Sequence, residues 1–166
     1  MRSRVFVLLW CSVLLSCDKG LEPPSDQPPS QSSAISGLIT YKNWPSLDSL
    51  RDLRIVLFRT FPPGKIISEV LNGNAVVHPP LGDTALVPFY VDSLRFAFGL
   101  PPGVYEYVAV VQQYGPSVYN NWRPVGQYDL DTNLSVPTPV TVPAGDTLRD
   151  VAIAVDFIHR PPMPPQ

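Results

Sequence analysis

Short apolar runs, separated at near-regular intervals by proline and glycine, dominate this chain. It has 166 residues, of which 21 are proline and 10 are glycine. Proline cannot donate a backbone hydrogen bond and glycine readily adopts turn conformations, so such spacing favours strands and turns over long helices. The runs are rich in β-branched and aromatic residues and lie at 34–41, 53–60, 65–71, 75–78, 85–91, 93–99, 104–113, 136–142 and 148–158.

This pattern predicts an all-β protein, built as an antiparallel β-sandwich of about seven to nine strands. Leu94, Phe96 and Phe98 alternate with smaller or polar residues, which indicates a strand with one buried face. Residues 34–158 are enough for a single domain with a hydrophobic core of its own. The only predicted helical segment is a turn or two within residues 45–52.

A β-hairpin is predicted around the sequence Asn72-Gly73-Asn74. This tripeptide separates the apolar runs at 65–71 and 75–78, and a glycine flanked by asparagines is typical of tight turns between paired strands. The longer connections at 61–92 and 113–135 leave room for insertions that carry a function of their own.

The N-terminus has the features of a secretory signal peptide. Arg2 and Arg4 precede an unbroken apolar run over residues 5–15. This run is too short to span a bilayer, because a membrane-spanning helix needs about 20 apolar residues. An uncleaved anchor or a buried N-terminal strand is the alternative interpretation.

The sequence Leu14-Leu15-Ser16-Cys17, which ends this run, resembles the lipobox of bacterial lipoproteins. In that family the cysteine thiol is alkylated with diacylglycerol and a peptidase cleaves the chain before it. The resemblance therefore implies that residues 1–16 are removed and that Cys17 becomes the lipidated first residue. It also implies an anchor in the cell membrane or the outer membrane, outside the cytoplasm. Asp18 resembles an inner-membrane retention signal of some bacteria and a surface-export signal of others. The sequence therefore does not decide which membrane holds the anchor.

Two proline-rich segments flank the predicted domain. Residues 17–33 hold proline pairs at 23–24 and 28–29 and a single large apolar residue, Leu21, and this composition predicts a disordered tether behind the lipid anchor. The sixteen residues after Cys17 reach on the order of 50 Å when fully extended. Residues 159–166 form a second, shorter proline-rich tail.

Composition excludes several classes of function. The two cysteines are Cys11, within the predicted signal peptide, and Cys17, so the mature domain has neither a disulfide nor thiol chemistry. Removal of residues 1–16 takes away Arg2 and Arg4 and changes the formal net charge from 12 − 14 = −2 to 10 − 14 = −4. Nucleic-acid binding needs clustered lysine and arginine, which the sequence lacks.

The longest internal motif is Phe96-Ala-Phe-Gly-Leu-Pro-Pro-Gly-Val-Tyr-Glu-Tyr-Val-Ala-Val-Val111. It resembles the hairpin of transthyretin-like and carboxypeptidase-regulatory-like β-sandwiches, and Ile35-Ser-Gly-Leu-Ile-Thr40 resembles their opening strand. Pro102-Gly103 suits a type II turn, so we expect the strand of Phe96 to pair across it with that of Tyr105. The resemblance implies a fold and not a function, since this fold serves many roles.

Few residues suggest catalysis or metal binding. His78 lies before two prolines and is interpreted as an exposed loop residue rather than a catalytic or metal-binding one. The sequence Asp129-Leu-Asp131-Thr-Asn133 has the alternation of a calcium loop but lacks its glycine and distal glutamate, which favours a plain surface loop.

Some related pilin-type sandwiches carry a Lys–Asn crosslink beside a buried acid. Lys42 ends the first predicted strand, but Ala109 stands where that family has the acid and Asp156 stands where it has the asparagine. Glu106, a nearby acid, is predicted to lie on the opposite face of the strand from Ala109. The resemblance therefore does not extend to the crosslink.

The 113–128 loop is the strongest candidate for a binding surface. It combines aromatic residues with Gly, Pro, Asn, Gln and Arg, a composition with which β-sandwiches stack on sugars or contact proteins. We predict ligand contacts at Tyr114, Tyr119, Trp122 and Arg123. Aromatic residues that cover the core are the alternative.

The sequence as a whole predicts a membrane-anchored cell-envelope lipoprotein that acts as a non-catalytic binding or structural module. We expect no cofactor, no metal and no nucleic acid, and an envelope protein or a glycan as the partner. A carbohydrate-binding accessory module, or an enzyme whose site is assembled only by folding, is the alternative.

Overall fold

The computed structural model describes residues 32–165, which form the predicted all-β fold. The strands of this region are β1 (Ala34–Lys42), β2 (Asp52–Phe58), β3 (Ala75–His78), β4 (Ser93–Gly99), β5 (Gly103–Tyr105), β6 (Tyr107–Gln113), β7 (Trp122–Gln127), β8 (Val140–Val142) and β9 (Thr147–Asp156). A 3₁₀ turn at Leu47–Ser49 lies within the predicted helical segment, and α1 covers Ile66–Leu71. Among residues 32–165 there is no helix that could span a lipid bilayer.

Seven strands form one large sheet in the order β3-β2-β6-β7-β9-β1-β4, and β5 pairs with β8 in a small second sheet. Neighbours in the large sheet are antiparallel, except that β1 and β9 run parallel. The exclusively antiparallel arrangement that we predicted is therefore wrong at this pair. His78 of β3 stacks on Phe98 of β4 with ring centroids 4.1 Å apart, so the two edge strands approach each other and the sheet nearly closes into a barrel.

The main core fills the inside of this curled sheet, and a second cluster covers part of its outer face. On β6, Val108 and Val110 point into the main core, whereas Tyr107, Ala109 and Val111 belong to the second cluster. Successive side chains of a strand point to opposite faces, so β6 is buried along its whole length. Burial on both faces explains why β2 and β6 are almost continuously apolar in sequence.

The predicted hairpin at Asn72-Gly73-Asn74 is wrong, because the first of its two strands is the helix α1. The N–H of Gly73 donates to Val70 O at 3.1 Å and the N–H of Asn74 donates to Glu69 O at 2.8 Å. Gly73 has a positive φ of 75°. This is the Schellman motif that ends helices, and it uses the same glycine conformation as many hairpin turns.

The motif at residues 96–111 does not form the predicted hairpin. β4 pairs with β1 and β5 pairs with β8, so Phe96 does not face Tyr105 across a ladder. Pro101 and Pro102 have no N–H to continue a ladder at the turn. Gly103 has the positive φ expected of a turn residue, 126°, but the chain there crosses from one sheet to the other.

Residues 113–128, predicted to be a loop, contain the central strand β7. Pro124 lies opposite Val111 at a shift in the β6–β7 register, where a proline inside a sheet is tolerated. The prolines and glycine of this segment concealed the strand from sequence analysis. The strand predicted at 85–91 is wrong, since the described chain between β3 and β4 has no regular structure.

The proline-rich tail packs against the domain over residues 159–165. Pro161 is buried, and Met163 and Pro164 lie near Trp122 on the outer face of the large sheet. The predicted signal peptide, Cys17 and nearly all of the predicted tether lie outside the described residues.

Candidate functional site

A cavity of about 260 Å³ lies on the outer face of the large sheet, over β2, β6 and the start of β7. Its floor is apolar and comes from strand residues, namely Phe58, Tyr107, Val111 and Trp122. Its rim comes from residues 63–66, which lead into α1, from residues 119–120 and from the tail residues 163–164. The site is therefore assembled from four parts of the chain that are far apart in sequence.

The floor is held in place by aromatic packing. The rings of Phe58 and Tyr107 are stacked with centroids 5.7 Å apart, and Phe61 meets Tyr107 edge-on at 5.4 Å. Ring pairs at these distances are favourable beyond the apolar area that they bury. The alternation of β2 and β6 places Phe58 and Tyr107 on the outer face, and they lie opposite each other in the ladder.

Trp122 is mainly a core residue. Its side chain is 8% exposed and packs in the second cluster. Its Nε1–H donates to Val118 O at 2.7 Å, so the polar end of the indole is paired as well. Trp122 also borders the cavity, so a ligand there would contact it.

The two tyrosines are the most exposed of the four residues that were predicted to contact a ligand. Tyr119 is 65% exposed on the cavity rim and Tyr114 is 39% exposed on the neighbouring surface. A network of local bonds orders their loop: Asn121 N–H donates to Ser117 O, Ser117 N–H to Asn121 Oδ1, and Tyr114 N–H to Asn121 O, all at 2.9–3.0 Å.

Arg123 is held by two neighbours. Its Nε donates to Oε1 of the buried Gln112 at 3.0 Å, and its guanidinium lies over the ring of Tyr114, 4.9 Å from the centroid. Partial burial and the positive charge of Arg160 lower the pKa of Arg123 from its usual value. The structure thus brings together all four predicted contact residues, with Trp122 as support and the other three at the surface.

A second cavity, of about 520 Å³, adjoins the first. The two share Trp122, Arg123, Pro124 and Met163, and Arg160 lines the second one. Met163 therefore lies at the boundary between two connected depressions.

Tyr107 carries an unusual polar atom for a buried site. The residue is 2% exposed, and its hydroxyl has no hydrogen-bond partner among residues 32–165. Burial raises the pKa of Tyr107 well above its usual range, so the hydroxyl keeps its proton and remains a donor. A buried donor without a partner is costly, and such groups call for a specific explanation.

Sequence reasoning missed Lys65, Tyr107 and Met163. Lys65 Nζ donates to Asn120 Oδ1 at 3.2 Å and so connects two of the three segments that form the rim of the first cavity. Tyr107 lies within the motif that the sequence predicts to form a hairpin, and the sequence predicts residues 159–166 only as a proline-rich tail beside the domain. Only the enrichment of prolines near residues 61–65 and 161–165 could have suggested contact with an aromatic surface.

The other candidate residues have local structural roles. His78 stacks on Phe98, and burial together with the charge of Arg54 lowers its pKa. Asp156 faces Lys42 in the β1–β9 register, but its carboxylate accepts hydrogen bonds from the Asn43 side chain and the backbone N–H of His159.

The Asp129–Asn133 segment is a series of side-chain-to-backbone turns. Asp129 Oδ1 accepts from the N–H of Asp131 at 3.2 Å, Asp131 Oδ1 from that of Asn133 at 2.6 Å, and Asn133 Oδ1 from that of Ser135 at 3.2 Å. This pattern stabilises a surface loop. Within residues 32–165, no group of three or more His, Cys, Asp or Glu residues could hold a metal ion.

Comparisons of the chain with protein-family models, with curated proteins and with solved structures found no match.

Proposed function

We propose that this chain is a lipid-anchored cell-envelope protein with a non-catalytic binding role, and that the first cavity and its rim are its ligand-binding surface. The observation that carries the proposal is the cavity itself, because it joins an aromatic floor to a few polar side chains, as ligand sites commonly do. The exposed Tyr119 and the partly exposed Tyr114 and Arg123 extend this surface outward.

The proposal includes the finer fold assignment, a β-sandwich of the transthyretin-like type. Two local features support it. The Tyr105 hydroxyl donates to Pro101 O at 2.8 Å, in the manner of the tyrosine corner found in immunoglobulin-type sandwiches. In addition, the motif residue Gly37 lies where β1 meets β9 so closely that a side chain would overlap the backbone of Val151.

The ligand is an envelope protein or a glycan, and the exposed aromatic and amide groups of residues 119–120 favour the glycan. An array of glycans, together with a pull-down from envelope extracts, separates these two alternatives. A Tyr119→Ala variant is the control for specific contact, since its side chain is exposed on the cavity rim.

Anchoring is tested by Cys17→Ala in a bacterial host that is fed a traceable fatty acid. The thiol is the only lipid attachment site that the lipobox provides, so we expect the label on the protein and its retention in the membrane fraction to be lost. Cys11→Ala is the matched control, because Cys11 belongs to the part that is removed, and it should leave labelling intact. Labelling that persists in Cys17→Ala would overturn the anchor.

A further inference from the structure

The side chains that line the two adjoining cavities include cations but no carboxylate, although the protein is acidic and the Glu69 carboxylate lies beside the lining residue Gly64. Residues 32–165 contain nine Lys and Arg and eleven Asp and Glu, a formal balance of 9 − 11 = −2. Lys65, Arg123 and Arg160 line the cavities, and no Asp or Glu does. Three of the nine cations thus lie at one site without a carboxylate in its lining.

The arginines are near enough to affect each other, since the charge of Arg160 contributes to the lowered pKa of Arg123. Like charges that approach each other on a folded surface are unfavourable, and an anion between them removes this repulsion. Arg123 is also fixed in place by Gln112 and Tyr114, so its remaining donors are oriented before a ligand arrives.

The polar groups around the cavity are mostly donors. Lysine and arginine only donate, and the amide oxygen of Asn120 already accepts from Lys65. A matching ligand is therefore rich in acceptors. The first cavity, at about 260 Å³, is below the range of most drug-sized sites, which fits a single ring.

We propose that the two cavities form one site for an anionic sugar. The carboxylate or phosphate group is bound in the second cavity by Arg123 and Arg160. The sugar ring lies in the first cavity beside Tyr119 and Trp122, with the positive charge of Lys65 on its rim. This inference rests on the proposed binding function, but not on the lipid anchor.

The test compares four sugars with the same ring by saturation-transfer NMR on the purified full-length protein: glucose, glucosamine, glucuronate and glucose 6-phosphate. Charge-assisted hydrogen bonds are stronger than neutral ones, so at least one of the two anions should bind about tenfold more tightly than glucose. Glucosamine should bind least. The ratio of the two anions distinguishes a carboxylate from a phosphate ligand, and added salt should weaken both.

Variants then locate the site. Lys65→Gln and Arg160→Gln should each lower the preference for the better-bound anion over glucose by about fivefold. Arg149→Gln removes the same charge outside both linings and should have no effect.

Equal binding of glucose and both anions would refute the inference. So would the absence of any sugar binding at a ligand concentration about 20 times a millimolar dissociation constant. Tighter binding of triglutamate than of either sugar anion would also refute it and would indicate an acidic peptide. In either case an envelope partner that still crosslinks at this surface would leave the proposed binding function intact.

Discussion

Replacing Trp122 with alanine is expected to lower the free energy of unfolding by about 3–5 kcal/mol. The indole is almost fully buried between β7 and the second cluster, and its removal leaves a cavity that the rigid floor cannot fill. The variant also leaves Val118 O without its donor, which loosens the 117–121 loop. Urea denaturation, followed by far-ultraviolet circular dichroism, measures the loss.

Tyr119→Ala is the matched control for this prediction. It truncates an aromatic residue in the loop just before β7, but one that is mostly exposed, so the free energy of unfolding should change by less than about 0.5 kcal/mol. If Trp122→Ala were as stable as Tyr119→Ala, the packing described for the second cluster would be incorrect.

The second large effect is expected at Gly37, where alanine should cost at least about 3 kcal/mol and lead to poor folding. The added Cβ would overlap the carbonyl oxygen of Val151 and come within 2.9 Å of the Phe96 ring. The Val151 oxygen belongs to the backbone of β9 and cannot move without disturbing the parallel β1–β9 pair. Thermal melting of the purified variant, or its soluble yield, measures the effect.

Gly99→Ala provides the comparison, because Gly99 pairs with the same strand, β1, but has only one atom, Ser33 O, near its Cβ position, at 3.7 Å. It should melt within a few degrees of the parent protein. Equal melting temperatures for the Gly37 and Gly99 variants would show that β1 and β9 do not approach as closely as described.

Strands with a clear alternation could be predicted from the sequence. In β9, Val151, Ile153, Val155 and the following Phe157 are buried on one face, as the pattern required. The strand predicted at 65–71 is the helix α1. The prediction was wrong because a glycine with positive φ, such as Gly73, occurs both at helix ends and in hairpin turns. β7 was missed because its sequence, WRPVGQ, has only two large apolar residues besides Pro124 and contains a glycine and two polar residues.

The candidate site could be predicted only in part. Composition pointed to Tyr114, Tyr119, Trp122 and Arg123, which are close together in sequence. It could not point to Tyr107 or Lys65, because their place in the cavity depends on long-range strand pairing and on the packing of α1. The parallel β1–β9 pair is equally non-local, and so the curling of the sheet could not be inferred from local patterns.

The most direct test of the binding function is site-specific photo-crosslinking in intact cell envelopes. The photoreactive residue p-benzoylphenylalanine replaces Tyr119 on the cavity rim, or, as the control, Val104 on the exposed side of β5. We expect an adduct of higher mass from position 119 and none from position 104. No adduct from position 119 in membrane-anchored protein, or equal adducts from both positions, would contradict the proposed function.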